Sequence, residues 1–169
     1  MKKKILIFIL LNVLTLNAKA EIVYIDINYI LNSSEVGKNL NTYLVTIKNQ
    51  NSLKYEKIEN DLVNKEKSLI AKQNILDKEE FQKKLKKLTS EVQKYRSDRK
   101  FSLEELNNIK INKTKEILSA LNPIITKYVD ENSISIVIPK KNIVVGRKNL
   151  DITNQIIKLL NNNITKLEF

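Results

Sequence analysis

Cysteine, histidine and tryptophan are absent from this chain of 169 residues, and only two glycines and two prolines occur. Without cysteine the chain forms no disulfide, and without cysteine or histidine it offers no His/Cys metal site. The commonest acid–base and nucleophilic side chains are missing too, and two glycines cannot build a phosphate-binding loop. The sequence therefore predicts no enzyme, no cofactor and no metal.

The scarcity of glycine and proline also limits the fold, because tight turns depend on these two residues. Neither occurs between Gly37 and Pro123. The sequence predicts that this interval is long helix, either as one rod or as two helices that fold back on each other.

The first twenty residues have the pattern of a secretory signal peptide. MKKK is a positive n-region, residues 5–16 are an apolar run interrupted by one asparagine, and AKA at 18–20 fits a small-x-small cleavage site. We expect cleavage before Glu21 and export of a soluble remainder. The alternative is an uncleaved membrane anchor, for which the apolar run is short against the roughly 20 residues that span a bilayer.

The chain is strongly basic, with 30 Lys and Arg against 19 Asp and Glu and a formal net charge of +11. Removing residues 1–20 takes away four lysines, which leaves 26 basic against 19 acidic residues and a net charge of +7. An exported protein rarely meets nucleic acid, so we expect no nucleic-acid partner. Anionic lipid surfaces and acidic proteins are better candidates.

The long interval follows a coiled-coil pattern in two separate registers. Apolar positions step by four and three from Leu40 to Leu76, and a cleaner seam runs from Phe81 to Ile124. Most other positions are Lys, Glu, Asn or Gln, so the apolar stripe must pack on another helix.

A capping signal coincides with the break between the two registers. Leu76 and Phe81 lie five residues apart, a step that a continuous coiled coil does not accommodate. Asp77 is a good N-cap residue, Glu80 can reach back to its amide, and Leu76 with Phe81 can form a hydrophobic staple. These residues predict that a new helix begins at Asp77.

The predicted turn makes residues 37–122 an antiparallel helical hairpin, an arm with its tip near residues 74–77. The first helix is expected to end near Asn74, which accepts a turn conformation. The alternative is a charged patch inside one continuous helix. The hairpin is favoured because it returns the chain to its start, where strands from both ends can share one sheet.

The two ends of the chain predict a small body made of residues 21–36 and 123–169. A buried strand is expected at 22–27, and Ser33 or Ser34 opens the helix that follows. Residues 133–138 and 143–146 predict a second and a third strand joined as a hairpin.

We expect this body to self-associate. With about 60 residues and three short strands it is marginal alone, and its sheet edges are open. The strand residues predicted to build the association are Ile22, Val23, Ile25, Ile136, Ile138 and Val144.

Three stretches of the chain resemble the Skp/OmpH family of periplasmic chaperones. They are IVYIDINYILNSSEVGKNL at 22–40, ILDKEEFQKKLKKLTSEVQKY in the arm, and SISIVIPKKNIVVGRKNLDITNQIIKLLN at 133–161. The resemblance is specific at the two ends and departs from the family at residues 146–148, where relatives carry an aromatic residue and a proline.

The resemblance implies an α+β fold in which small β-rich bodies join three chains into a jellyfish-like homotrimer. Three helical arms would surround a cavity that holds unfolded outer-membrane β-barrel proteins without ATP, prevents their aggregation and delivers them toward the outer membrane. It implies the periplasm of a Gram-negative bacterium as the location. It also implies lipopolysaccharide or anionic lipid as a further partner.

The candidate contacts for a client or lipid lie near the tip and on the second helix of the arm. Residues 78–100 hold nine Lys and Arg against four Asp and Glu, although a solvated helix face has the same pattern. The candidates are Ile70, Leu76, Phe81, Lys83, Lys84, Lys86, Lys87, Arg96 and Arg99.

Two further questions remain open from the sequence. Asp26 and Asp151 could be paired carboxylates, but a polar residue at a strand end and the N-cap of a last helix explain them more simply. The whole chain could be a coiled-coil spacer or scaffold of the cell envelope with no client.

Overall fold

The computed structural model describes residues 21–164, and the predicted signal peptide lies outside the described residues. The bounds of its elements are Glu21–Ile25 for β1, Ile27–Ser33 for α1, Glu35–Ala71 for α2, Lys78–Glu131 for α3, Ile134–Pro139 for β2 and Thr153–Asn163 for α4. Short 3-10 turns at Lys140–Asn142 and Lys148–Leu150 connect β2 to α4.

Helices α2 and α3 form the predicted antiparallel hairpin. Hydrogen bonds across it join Tyr55 to Asp98 and Lys65 to Glu91, so residues later in α2 meet residues earlier in α3. At 1.5 Å per residue, the 37 residues of α2 extend roughly 55 Å. Pro123 lies inside α3, which continues beyond it to Glu131.

The apolar seam of the hairpin is only partly closed. Tyr55, Leu62 and Leu69 of α2 are buried in it, whereas Leu85, at a predicted seam position of α3, remains 40% exposed. Polar residues at several seam positions leave few apolar pairs to hold the middle of the arm.

Strands β1 and β2 form a two-stranded parallel sheet, with Ile22 opposite Ile136 and Tyr24 opposite Ile138. Parallel neighbours need a long crossover connection, and the whole hairpin arm supplies it here. The arm therefore returns the chain to its start, as predicted.

The prediction of a third strand at residues 143–146 is wrong. These residues lie in a loop between the two 3-10 turns, and Val144 is 99% exposed. The backbone carbonyl of Tyr24 accepts a hydrogen bond from the Ile152 amide, and an isolated parallel bridge pairs Tyr24 with Asp151. The chain therefore crosses to the edge of β1 opposite β2 instead of turning back along β2.

The hydrophobic core lies where the sheet, the base of the arm and α4 meet. Helix α4 contributes Ile156 and Leu160, which are four residues apart and share one face. The buried side chains are Val23, Ile25, Ile30, Val36, Leu40, Ile117, Leu121, Ile134, Ile152, Ile156 and Leu160. Leu40, Ile117 and Leu121 belong to the arm helices, so the base of the arm is part of the body's core.

The junction between α1 and α2 depends on a serine cap and a glycine. Ser34 Oγ accepts a hydrogen bond from the Gly37 amide at 3.2 Å, which confirms Ser34 as the N-cap of α2. A Cβ atom on Gly37 would lie 1.9 Å from the carbonyl oxygen of Leu31. Only glycine allows this approach, which fixes the angle between α1 and the arm.

Candidate functional site on the helical arm

The tip of the arm is a short turn between Ala71 and Lys78. Asp77 is the N-cap of α3, and its Oδ1 accepts a hydrogen bond from the Glu80 amide at 2.8 Å. The Glu80 carboxylate pairs with Lys84 Nζ at 2.7 Å rather than reaching back to the Asp77 amide. The sequence therefore located the restart of the helix correctly, and the first helix ends three residues before the predicted position.

The apolar candidates at the tip differ in exposure. Leu76 and Phe81 are half-buried, whereas Ile70 is 61% exposed. Ile75 is 80% exposed and is not among the contacts predicted from the sequence. Its position between the two apolar seams indicates that neither seam buries it. The tip thus presents two isoleucines to solvent.

The basic candidates on α3 are all exposed. Lys84 is paired with Glu80, and Arg99 Nη1 lies 3.8 Å from the carboxylate of Glu59 on α2. Within residues 21–164 no ion pair holds the remaining four, which are Lys83, Lys86, Lys87 and Arg96. These four charges are the part of the predicted site that can meet an anionic group.

Two tyrosines connect the helices near the middle of the arm. The Tyr55 hydroxyl donates a hydrogen bond to the backbone carbonyl of Asp98 at 2.8 Å, and the Tyr95 hydroxyl donates one to Glu59 Oε2 at 2.8 Å. Arg99 Nη1 donates to the Tyr95 hydroxyl at 3.0 Å. We call these five residues the tyrosine clasp. Sequence periodicity gave Tyr55 and Tyr95 as seam positions but could not give their polar partners.

The tyrosine clasp also combines the packing of two aromatic rings with a raised pKa of one phenol. The two tyrosine rings meet edge to face with centroids 6.0 Å apart, a favoured aromatic arrangement. Partial burial raises the pKa of the Tyr95 phenol, and its hydrogen bond to Glu59 raises that pKa further. The neutral phenol is therefore the form that the folded arm stabilises.

Toward the tip, Lys65 bridges the two helices on the other flank of the hairpin. Its Nζ lies 2.8 Å from Asp61 on its own helix and 2.9 Å from Glu91 on α3. The hydrogen bond to Asp61 and then that to Glu91 raise the pKa of the Lys65 ammonium. This bridge is exposed, so it contributes to register more than to stability.

Asp26 and Asp151 are neighbours in the body. Asp26 is the N-cap of α1, whereas the N-cap of α4 is Ile152 and not Asp151 as predicted. Asp26 Oδ1 accepts the Tyr29 amide at the start of α1, and Asp151 Oδ1 accepts the Thr153 amide at the start of α4. Lys140 Nζ lies 3.5 Å from Asp26 and 3.8 Å from Asp151. The two carboxylates therefore tie the ends of both strands to the two short helices.

The residues predicted for self-association divide into two groups. Val23 and Ile25 are buried in the chain's own core, and Ile138 is half-buried. Ile22 and Ile136, opposite each other in the sheet, are 45% and 50% exposed. Val144 lies outside the sheet. Together with Val145, which is 88% exposed, it forms an apolar loop where the sequence predicts a strand.

Among residues 21–164 no helix is long and apolar enough to cross a membrane. The same residues contain no group of three or more acidic side chains placed to hold a metal ion.

The fold defines a class of protein in which a small α/β body carries one long antiparallel helical hairpin. The chain belongs to the family of OmpH-like outer membrane proteins, whose model matches residues 21–160. The fold is similar to the crystal structure of an OmpH-like protein from Caulobacter crescentus CB15, proposed to be an outer membrane chaperone. The two share 19% sequence identity, the match covers 88% of each chain, and the TM-score is 0.82. No curated protein matches the chain significantly.

Proposed function

We propose that this protein is an ATP-independent periplasmic holdase that binds unfolded outer-membrane β-barrel proteins between helical arms. Membership of the OmpH-like family and the fold shared with a proposed outer membrane chaperone support a chaperone role. The observation that carries the proposal is the arm itself, which is long, incompletely sealed and lined with exposed apolar side chains.

The arm has the properties that weak binding of many sequences requires. A holdase needs dispersed contacts instead of one sharp pocket, and adaptable surfaces provide them. Exposed isoleucines at the tip and unpaired cations on α3 are dispersed in this way. Clients held by such contacts would be prevented from aggregating and released toward the outer membrane without a chemical step.

We also propose that the body assembles the chain into a homotrimer. The outer edge of β2 pairs with no other strand among residues 21–164, and Ile136 on that strand is half exposed. Val144 and Val145 add an exposed apolar loop between β2 and α4. Joining three bodies would cover these surfaces and set three arms around a common cavity.

The proposed location is the periplasm of a Gram-negative bacterium, after removal of the predicted signal peptide. Lipopolysaccharide or anionic lipid is a proposed second partner, because Lys83, Lys86 and Lys87 near the tip form no ion pair within residues 21–164. The client cavity and the lipid contact would then use neighbouring parts of the arm.

Dilution of a urea-unfolded β-barrel protein into buffer tests the proposal. Turbidity is recorded with and without the mature chain in the absence of nucleotide, and light scattering gives the mass of the mixture. If the protein is a holdase, about one trimer per client suppresses the turbidity. The mass measured by light scattering then rises by the mass of the client. Undiminished turbidity together with an unchanged mass would establish the spacer or scaffold role instead.

A further inference from the structure

Three grooves lie end to end along one flank of the hairpin arm. Their volumes are about 860, 420 and 430 Å³, taken in order from the tip side toward the body. The first and second share Glu59 and Leu103 in their walls, and the second and third share Lys48 and Leu103. They are therefore one continuous surface. We call it the groove flank, formed by residues 41–66 of α2 and 85–110 of α3.

The groove flank carries apolar side chains that the hairpin does not bury. Val45 and Val63 on α2 are 54% and 39% exposed, and Leu85 and Leu103 on α3 are 40% and 63% exposed. Each pair is separated by about five helical turns, so its two members point in the same direction. All four line the grooves, which gives the flank an apolar stripe along its length.

In the two grooves nearer the tip the rims carry mostly opposite charges, whereas the charged residues of the groove nearest the body are Lys48 and Lys110. The α2 rim has Glu56, Glu59 and Glu66, and the α3 rim has Arg96 and Lys100 beside Arg99. Arg96 is free of ion pairs within the described residues, so the basic rim has charge to offer a ligand. A chain with apolar side chains and scattered acidic groups complements this surface.

The opposite flank of the arm is different in character. Lys65 pairs there with Glu91 at 2.9 Å, and Lys94 pairs with Asp98 at 2.8 Å. The cleft on this side, of about 490 Å³, is lined mainly by polar and charged residues around Leu69 and Leu88. The two flanks are thus unequal, and the apolar one is the better surface for an unfolded polypeptide.

We infer that the groove flank binds one extended, strand-length segment of the unfolded client, an inference that rests on the proposed function. Residues 41–66 span roughly 38 Å at 1.5 Å per residue. One transmembrane β-strand of about 9–11 residues extends roughly 30–36 Å at 3.3 Å per residue. Its alternate apolar side chains would lie on the stripe, and its acidic side chains would lie near the α3 rim.

Labelled peptides test this inference with the full mature chain. The probe is an 11-residue peptide in which Leu alternates with Ser and Asp, and fluorescence anisotropy measures its binding. We expect a five-residue peptide of the same pattern to bind about tenfold more weakly, since it covers half of the flank. An 11-residue peptide with its leucines grouped at one end is also expected to bind more weakly.

Protein variants locate the contact on the groove flank. Leu103→Glu places a charge on the stripe and is expected to weaken binding about tenfold. Phe101→Glu is the matched control, because Phe101 is on the same helix, is 67% exposed and lines none of the three grooves. Circular dichroism checks both folds, and Leu103→Ser replaces Leu103→Glu if the charge lowers helicity.

Each result decides between the flank and its alternatives. Equal losses in the Leu103 and Phe101 variants, or equal binding of the short and long peptides, would overturn the inference. If wild type and Leu103→Glu suppress client aggregation equally well, the inference that the groove flank binds the client is wrong, and the proposed holdase function is kept. If wild type gives no suppression, the holdase fails, and peptide binding still decides whether the flank is a peptide site.

Discussion

The hydroxyl of Tyr55 and the backbone carbonyl of Asp98 are 2.8 Å apart across the two helices of the arm. Because the acceptor is a main-chain group in the middle of α3, this hydrogen bond fixes the axial position of one helix against the other. Tyr55 is also buried in the seam of the arm, with 7% of its surface exposed.

Tyr55→Phe is expected to destabilise the protein by about 1 kcal/mol, because the Asp98 carbonyl loses its side-chain donor while the ring still packs. Urea unfolding monitored by circular dichroism measures the change. Tyr29→Phe is the matched control, since the Tyr29 side chain is 52% exposed. Equal effects of the two substitutions would show that the clasp does not hold the register.

Asp77→Ala is expected to lower stability by about 1 kcal/mol, because the Glu80 amide loses the carboxylate that caps α3. Asp77→Ser keeps a capping oxygen and should recover most of the loss. Alanine at all of residues 74–77 should go further and favour arms exchanged between chains, which analytical ultracentrifugation detects as higher mass. If the variant with four alanines kept both its stability and its mass, the prediction that the arm turns at these residues would be contradicted.

Gly37→Ala is expected to destabilise the body by about 3 kcal/mol, because the added methyl meets the carbonyl oxygen of Leu31 within the core. Thermal unfolding measures the loss. Gly146→Ala is the comparison: there the new methyl meets the ring edge of Tyr24 at 2.8 Å, and a side chain moves more easily than a backbone. The loss at Gly146 should therefore be smaller.

The stability of the arm is expected to fall as the pH rises above about 10, the ordinary pKa of tyrosine. The folded state raises the pKa of Tyr95, so it holds the phenol proton more tightly than the unfolded chain does. The contribution of Tyr95 is therefore complete below pH 10 and is lost as the pH rises through the folded-state pKa. The melting temperature at pH 9 to 12 measures this loss.

Tyr95→Phe removes that titration and should flatten the decline in melting temperature above pH 10. Absorbance at the phenolate band should show a late-titrating component in wild type that the variant lacks. A decline of unchanged steepness would place the pH dependence on the lysines, among which Lys65 and Lys94 have raised pKa values and lose charge in the same direction.

Val144→Asp combined with Val145→Asp is expected to convert the proposed trimer to monomers, because charges would replace the exposed apolar side chains of the loop between β2 and α4. Light-scattering mass at micromolar concentration checks the change. Leu53→Asp, at a position on the arm that is 69% exposed, is the control and should leave the mass unchanged. A monomeric wild type would contradict the assembly itself.

Local signals made the tip of the arm predictable. The register break between Leu76 and Phe81 and the capping residue Asp77 lie within a few residues of one another, and both act through short-range backbone geometry. The loop at 143–146 was not predictable in the same way, because its β-branched residues suit a strand. The contact that decides its path is the bridge between Tyr24 and Asp151, which are remote in sequence.

The sequence by itself determined the long helices, their restart at Asp77, the cap at Ser34 and the return of the chain to its start, since periodicity and capping are local properties. Tertiary structure alone decided that β1 and β2 run parallel, that Tyr55 reaches Asp98, and that four exposed apolar residues share one flank of the arm. Each of these depends on the relative rotation and axial shift of distant segments. That arrangement is fixed only when the core of the body and the seam of the arm pack together.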